Sequence, residues 1–296
     1  MNQLQYYVLD VFTRERYKGN PLSVVSTDKD LDPEIYKKIS KEFGYSETSF
    51  VHYAAEERAL KVRSFTSSGI EVHGAGHNLL GVVCLALEKK WDIFREQKDE
   101  RFVIMKDEAI PLSVTWLPDN TPFAGMLQRP ATIVNTIPAE VIAPAITLSP
   151  GDLLLKDWMP TIVKTEVTHL MVPVKNTGCL NKAMGNKTLL NEMAKEFGFE
   201  GCYCFTLTDQ DPVYMAQSRF FNPFIGIEED PATGSAAGPL AGFLFQNDYI
   251  RQNKDYSILQ GEKMGQPSTL QLRVSDEGIW VSGSSVIVME GSIYFP

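Results

Sequence analysis

Apolar and β-branched residues alternate with polar ones, or crowd together, in short runs at Leu4 to Phe12, Leu22 to Ser26, Thr48 to Tyr53, Leu60 to Phe65 and Phe102 to Thr115. Turn residues separate these runs, so the pattern predicts strands. Asp32-Pro33-Glu34 reads as an N-cap followed by proline in the first turn, which predicts a helix to about Phe43 and a left-handed stop at Gly44. Glu47 then falls at the exit of that helix, just before a strand. Two further segments, Gly74 to Leu87 and Ala232 to Phe245, are small and apolar with helix-like spacing, as in a buried helix. Six of the 17 prolines lie from Pro118 to Pro150, a density that opposes long helices and central strands and predicts a connection between two lobes. The last stretch, Gly278 to Pro296, is β-rich.

The chain also matches itself. Lys41-Glu42-Phe43-Gly44-Tyr45 returns as Lys195-Glu196-Phe197-Gly198-Phe199, and Arg63-Ser64-Phe65-Thr66 as Arg219-Phe220-Phe221-Asn222. Gly69-Ile70-Glu71 returns as Gly226-Ile227-Glu228, and Gly74-Ala75-Gly76-His77 as Ala232-Thr233-Gly234-Ser235. Four ordered matches with a slowly drifting offset imply an ancient duplication into two lobes, each with a glycine-led buried helix.

Composition narrows the function. A net charge of -9 and a pI near 5.1, without a cluster of Lys and Arg, argue against nucleic acid or an anionic membrane as the main partner. The start of the chain lacks a signal-peptide pattern and no run of about 18 apolar residues occurs, which places the protein in the cytoplasm. The four cysteines, Cys84, Cys179, Cys202 and Cys204, are scattered, and Cys202 and Cys204 would share one face of a strand as core residues; no second Cys pair or His-x-x-x-His completes a metal site. The charged stretches Glu56 to Arg58 and Lys98 to Arg101 read as solvated surface.

Candidate chemistry gathers at the two glycine-led helix starts, whose first-turn N–H groups lack internal partners and attract anions. If a pseudo-twofold axis relates the lobes, both starts face one cleft, grip a carboxylate and stabilise an enolate-like charge, with Gly76 and Gly234 letting the ligand approach the backbone. Otherwise these glycines serve helix-to-sheet packing alone. Glu47 is exposed by the repeat, because its counterpart is Gly201 and the scaffold therefore does not need a carboxylate there. Phe43, Tyr45 and Phe50 would desolvate it toward a neutral-range acid or base; the alternative is an exposed strand-end glutamate. His77 matches Ser235 in the other lobe and would be neutral at a helix start. Asp230 either caps the next helix or is a partner carboxylate for proton relay. His52, His73 and His169 read as structural or surface residues.

Asp10-Val11-Phe12-Thr13 with Gly19-Asn20-Pro21, Gly44 to Phe50, Gly76-His77 through Gly81, and Glu229-Asp230-Pro231-Ala232-Thr233-Gly234-Ser235-Ala236-Ala237-Gly238 together resemble the PhzF family, related to the diaminopimelate epimerase fold. The resemblance implies an α+β fold of two pseudo-symmetric lobes, each a β-sheet or barrel wrapped around a central helix. The N-terminal lobe would span 1–118, joined by about 288–296, and the C-terminal lobe 119–287. It further implies a cofactor-independent, metal-free isomerase, a homodimer, that moves a proton on a small carboxylate-bearing substrate held between the lobes. Glu47 would be the principal acid-base, assisted by His77, Asp230 and Ser235, with Asn20, Gly76, Asn78, Thr233 and Gly234 binding substrate. Epimerases of this fold place paired cysteines where Ala75 and Thr233 stand here, so a one-carboxylate proton shift is expected rather than a two-thiol racemisation. Ser67, His73 and Asn78-Leu79 depart from the usual family pattern and bear on substrate. A non-catalytic small-acid binding protein, or a serine hydrolase using Ser235, are the alternatives; the latter lacks a Gly-x-Ser-x-Gly elbow.

Overall fold

Local signals decide the first helix. Asp32 accepts the Glu34 N–H at 2.8 Å, Pro33 takes the first helical position, and Gly44 ends the helix with φ 71°. The computed structural model describes residues 2–72, 74–91 and 101–295; His73 and residues 98–100 of the charged stretch ending at Arg101 lie outside the described residues. In chain order the elements are β1 (Asn2–Val11), β2 (Asn20–Ser26), α1 (Pro33–Phe43), β3 (Glu47–Ala54), β4 (Ala59–Thr66), β5 (Glu71–Val72), α2 (His77–Glu88), β6 (Arg101–Met105), β7 (Glu108–Trp116) and β8 (Pro122–Gln128). There follow β9 (Thr132–Thr136), α3 (Ala139–Ile142), β10 (Thr161–Lys164), β11 (Thr168–Pro173), α4 (Thr177–Lys182), α5 (Lys187–Phe197), β12 (Gly201–Leu207), β13 (Ala216–Asn222) and β14 (Ile227–Asp230). The last are α6 (Gly234–Gln246), β15 (Tyr256–Gln260), β16 (Ser268–Val274), β17 (Ile279–Gly283) and β18 (Ser285–Phe295).

Two departures from the sequence pattern have simple causes. The apolar run 102–115 is a hairpin rather than one strand, because Lys106 and Asp107 turn it with φ of 50° and 61°, the left-handed pair that a tight two-residue hairpin needs. The proline-rich stretch holds two strands, β8 and β9, since Pro122 starts a strand, Pro130 lies between strands and Pro138 is the N-cap of α3.

Contacts divide the chain into two units, Met1–Leu127 with Ser282–Pro296, and Gln128–Val281. The fold is α+β, and one pairing scheme is used in both. In the first unit β1–β2, β3–β4, β4–β5 and β6–β7 are antiparallel, β2–β3 and β4–β6 are parallel, and β18 lies antiparallel on β1. In the second, β10–β11, β12–β13, β13–β14 and β15–β16 are antiparallel, β11–β12 and β13–β15 are parallel, and β9 lies antiparallel on β10. The registers agree as well. Phe50 opposes Arg63 and Cys204 opposes Arg219, so Glu47 and Gly201 occupy equivalent places.

A bidentate ion pair recurs with the strands. Arg63 binds Glu71 at 2.7 and 2.9 Å, and Arg219 binds Glu229 at 2.8 and 2.7 Å. Glu71 therefore corresponds to Glu229, which corrects the match to Glu228 suggested by the sequence. The second unit has one extra residue: Phe220 opposes Asp230 but Asn222 opposes Ile227, so β14 bulges around the exposed Glu228.

Each unit carries a helix with almost no solvent face: α2 is buried from His77 to Ala86, and α6 from Ala236 to Leu244. Amphipathic α1 covers the other face of the first sheet, where Tyr36, Phe50 and Phe65 cluster with Leu4 and Val25. Cys202 and Cys204 do share a face of β12, with sulfurs 3.9 Å apart, inside the cluster under α4 and α5. No helix among the described residues is long and apolar enough to cross a membrane.

Gly201 is fixed by packing. A Cβ there would lie 2.3 Å from Cζ of Phe220, whose buried ring stands edge-on to His169 at 5.2 Å. Gly201→Ala is expected to destabilise the protein by ~1–3 kcal/mol through overpacking, and a second change, Phe220→Leu, to recover part of that loss in a denaturant-unfolding cycle. Additive losses would show that the ring is not the obstacle.

His77 and His169 are buried one in each unit, and burial pushes both imidazoles from 6.5 down to about 3, against a smaller upward pull on His169 from the Gly201 backbone. Unfolding exposes rings that take up protons near 6.5, so the unfolded chain binds more protons and stability falls as pH drops below that value. Each ring contributes roughly 1.4 kcal/mol per pH unit within that window. Guanidinium midpoints between pH 7 and 5 should fall, and His169→Leu should flatten the dependence; an equal slope in the variant would place His169 in a hydrated or charged state.

Candidate active site

Glu47 is the first residue of β3 rather than a residue ahead of it, and at 7% exposure it is not a solvated strand end. Alternation along the strand puts Glu47, Ser49 and Val51 on one face. The Ser49 hydroxyl donates to the Asn78 carbonyl at 3.1 Å and meets the Ser64 hydroxyl at 2.8 Å, so this face is turned toward the start of α2. Phe50 lies on the opposite face, 4.4 Å from the Tyr36 ring, and Phe43 stacks edge-on to Tyr6 at 5.3 Å. These two aromatics therefore belong to the cluster beneath α1; Glu47 is buried because β3 is covered on both faces, not because they surround it.

His77 opens α2 and is 4% exposed; its Nε2 has no hydrogen-bond partner among the described residues, and burial keeps the ring neutral. The expected neutrality therefore comes from desolvation. Asn78 holds the turn before it: its Oδ1 accepts the N–H groups of Gly76 and Leu79, each at 2.8 Å, and its Nδ2 donates to the Gly74 carbonyl at 3.1 Å. Its amide is thereby committed to the backbone that presents Gly76 and His77. Asn20, fully buried, begins β2 opposite Val11, in the same unit.

In the second unit Asp230 ends β14 at 4% exposure, and its Oδ2 accepts the Thr233 hydroxyl at 2.5 Å. Thr233, not Asp230, is the N-cap residue of α6, and its hydroxyl makes no capping bond because it is engaged with that carboxylate. Gly234 follows as the first helical residue, its carbonyl accepting from Gln128 at 2.9 Å, and half-buried Ser235 is the second. Their N–H groups are among those a helix leaves without internal partners.

Behind this turn runs a polar chain absent from the sequence-based set. Gln260 Oε1 accepts from the Tyr203 hydroxyl at 2.8 Å and from Thr233 N–H at 3.1 Å. Its Nε2 donates to the Asp230 carbonyl at 2.7 Å and to the Thr233 hydroxyl oxygen at 3.0 Å, while Ser218 donates to the Tyr203 oxygen at 2.9 Å. The available signal was in the repeat: a glutamine in a β-rich stretch whose twin is apolar. It became readable only once the strand registers were known.

The structure thus gathers Glu47, Gly76, His77 and Asn78 in one unit and Asp230, Thr233, Gly234 and Ser235 in the other. Among the described residues no cluster of three or more His, Cys, Asp or Glu is grouped to hold a metal ion. None of the four cysteines lies in either turn; all are free and buried, Cys84 two turns along α2, where burial pushes its thiol up to about 12.

Known proteins share this arrangement of sequence and fold. The model of the PhzC-PhzF family, phenazine biosynthesis-like protein, matches residues 9–291. An uncharacterized isomerase of Clostridium acetobutylicum is 28% identical over 301 residues, with 97% of each chain covered. The trans-2,3-dihydro-3-hydroxyanthranilate isomerase of Pseudomonas aeruginosa is 29% identical over 297 residues, covering 98% of this chain and 99% of the relative. The crystal structure of a PhzF-family phenazine biosynthesis protein from Bacillus anthracis matches with a TM-score of 0.87 over 100% of both chains at 23% identity, a likeness of fold. With its duplicated sheets, its two glycine-led helix starts and a family match over nearly its whole length, the chain belongs to the PhzC-PhzF family of phenazine biosynthesis-like proteins and is an isomerase.

Proposed function

We propose that this isomerase works by acid-base proton transfer on a small carboxylate-bearing substrate, with Glu47 as the group that takes the proton from carbon and returns it elsewhere on the same molecule. The observation that carries this reading is Glu47 itself, a buried carboxylate on the α2 face of β3 at a place where the duplicate has glycine. A carboxylate is costly to bury, so its presence where the scaffold does without one points to chemistry. A helix start such as that at His77, or its counterpart at Gly234, offers N–H groups to a carboxylate and to the negative charge that grows when a C–H proton leaves. His77, held neutral, is suited to hydrogen bonding rather than to charge pairing. Asp230 and Ser235 assist from the second helix start, Asn20 and Thr233 belong to the binding surface, and Asn78 supports it by fixing the Gly76 turn. Proton removal and return leave the molecule's composition and oxidation level unchanged, so no electron acceptor or group carrier enters the balance.

A substrate resembling trans-2,3-dihydro-3-hydroxyanthranilate, on which the Pseudomonas aeruginosa relative acts, carries the needed carboxylate beside an activated carbon. The test is proton NMR in deuterated water with that compound and a panel of small cyclic amino and hydroxy acids. The wild-type chain is expected to place deuterium in one of them, and Glu47→Gln to slow incorporation by at least about 10²-fold while still binding the compound. Equal incorporation by Glu47→Gln would remove the proposed base; binding without exchange across the panel would favour a small-acid binding protein.

A further inference from the structure

We infer that Gln260 and Thr233 form a positioning clamp that keeps the Asp230 carboxylate oriented and in its ionised, proton-accepting form. The inference rests on the reading above, in which Asp230 takes part in proton transfer.

The direction of every hydrogen bond in this chain follows from donor and acceptor chemistry. An amide oxygen cannot donate, so Tyr203 O–H points at Gln260 Oε1, at 2.8 Å, and the Tyr203 oxygen receives the Ser218 proton at 2.9 Å. The same amide oxygen takes the Thr233 N–H, which leaves the Gln260 amino group facing two acceptors, the Asp230 carbonyl and the Thr233 hydroxyl oxygen. A flipped amide would set N–H against N–H. Thr233 therefore accepts from Gln260 and has its single proton free for Asp230 Oδ2, 2.5 Å away. A protonated carboxyl oriented at the same oxygen would confront that proton, and the Thr233 hydroxyl would have to turn away inside a buried turn. The network thus favours the carboxylate ion, and neighbouring bonds polarised in one direction reinforce each other.

The first unit supplies a built-in comparison. Ser64 opposes Val72 where Phe220 opposes Asp230, and Val62 opposes Met105 where Ser218 opposes Gln260. Ala75 precedes the glycine of α2 where Thr233 precedes that of α6, and Ser49 lies where Tyr203 lies. Four of the five linked positions, Val72, Val62, Met105 and Ala75, are apolar in a lobe with the same pairing scheme. The fold does not require a polar chain there, and its helix start is held instead by Asn78 and Ser49. Because unsatisfied burial of these groups is costly, a complete chain ending on one carboxylate oxygen is best explained by what it does to that carboxylate.

The test reads Asp230 directly. Carbon-13 NMR of protein labelled at the aspartate carboxyls, with the Asp230 signal assigned by its loss in Asp230→Asn, gives its titration midpoint without any substrate. Thr233→Val should raise the midpoint by about one pH unit, a tenfold change in proton affinity, because it removes a hydrogen bond to the charged form. Thr233→Ser should hold the wild-type midpoint. Gln260→Met, which installs the residue of the other lobe, should move it in the same direction as Thr233→Val and carries the test if that variant does not fold. An unmoved midpoint in Thr233→Val or Gln260→Met, or an equal shift in Thr233→Ser, would overturn the clamp. Where deuterium exchange is measurable, the acid limb of its pH profile should move up with the midpoint in Thr233→Val and be restored in Thr233→Ser. A shifted midpoint in a protein that exchanges no compound upholds the clamp and overturns the proton-transfer reading. An unmoved midpoint with exchange lost in Asp230→Asn does the reverse.

Discussion

A helix with no solvent face constrains everything around it. α2 and α6 are buried along nearly their whole length, so their flanks must be apolar or small wherever strands approach. Gly81 shows how close that approach is, since a Cβ there would meet Leu22 at 2.6 Å and Val11 at 2.9 Å. Sheets curl over such helices because no flank can be left to water. Polarity is then admissible only at the ends, where the first-turn N–H groups have no internal acceptors. The residues proposed for catalysis accordingly collect at the two N-termini and on the strand edges beside them.

Duplication solved this packing problem twice, and the two copies have since diverged in the few places where packing permits. The strand registers and the Arg–Glu forks are shared down to matching residues. Differences concentrate near the helix starts. One copy has Glu47 and His77 and a turn held by Asn78; the other has Gly201 under the Phe220 ring, and a turn held through Gln260. An equivalent carboxylate at 201 is sterically closed by the same ring that fills the space above it. The asymmetry that the proposed one-carboxylate proton shift calls for is therefore built from core packing as well as from chemical substitution.

Polar networks behind the helix starts also separate orientation from chemistry. Asn78 and Gln260 each use donor and acceptor atoms of one amide on the backbone of a turn, which holds those turns without adding a charge of their own. The Thr233 hydroxyl likewise is tied to Asp230 and Gln260 rather than left as a nucleophile.

Much of this was legible in the chain. Capping and left-handed glycine signals act within a few residues, so α1 and its end at Gly44 could be read directly, as could the buried helices and the equivalence of Glu47 with Gly201. The hairpin at Lys106-Asp107 was not, because neither residue advertises the left-handed backbone that it adopts. Nor was the bulge at Glu228, which shifts the true partner of Arg219 to Glu229, since a single extra residue is placed only by pairing across strands. The sequence by itself determined the duplicated scaffold and the residue types at the helix starts, because these depend on local propensity and repetition. Tertiary structure alone decided which face of β3 carries Glu47, which aromatics leave it, and that a chain of bonds from Ser218 through Tyr203 and Gln260 reaches Asp230, because those relations join residues far apart in the chain through register and burial.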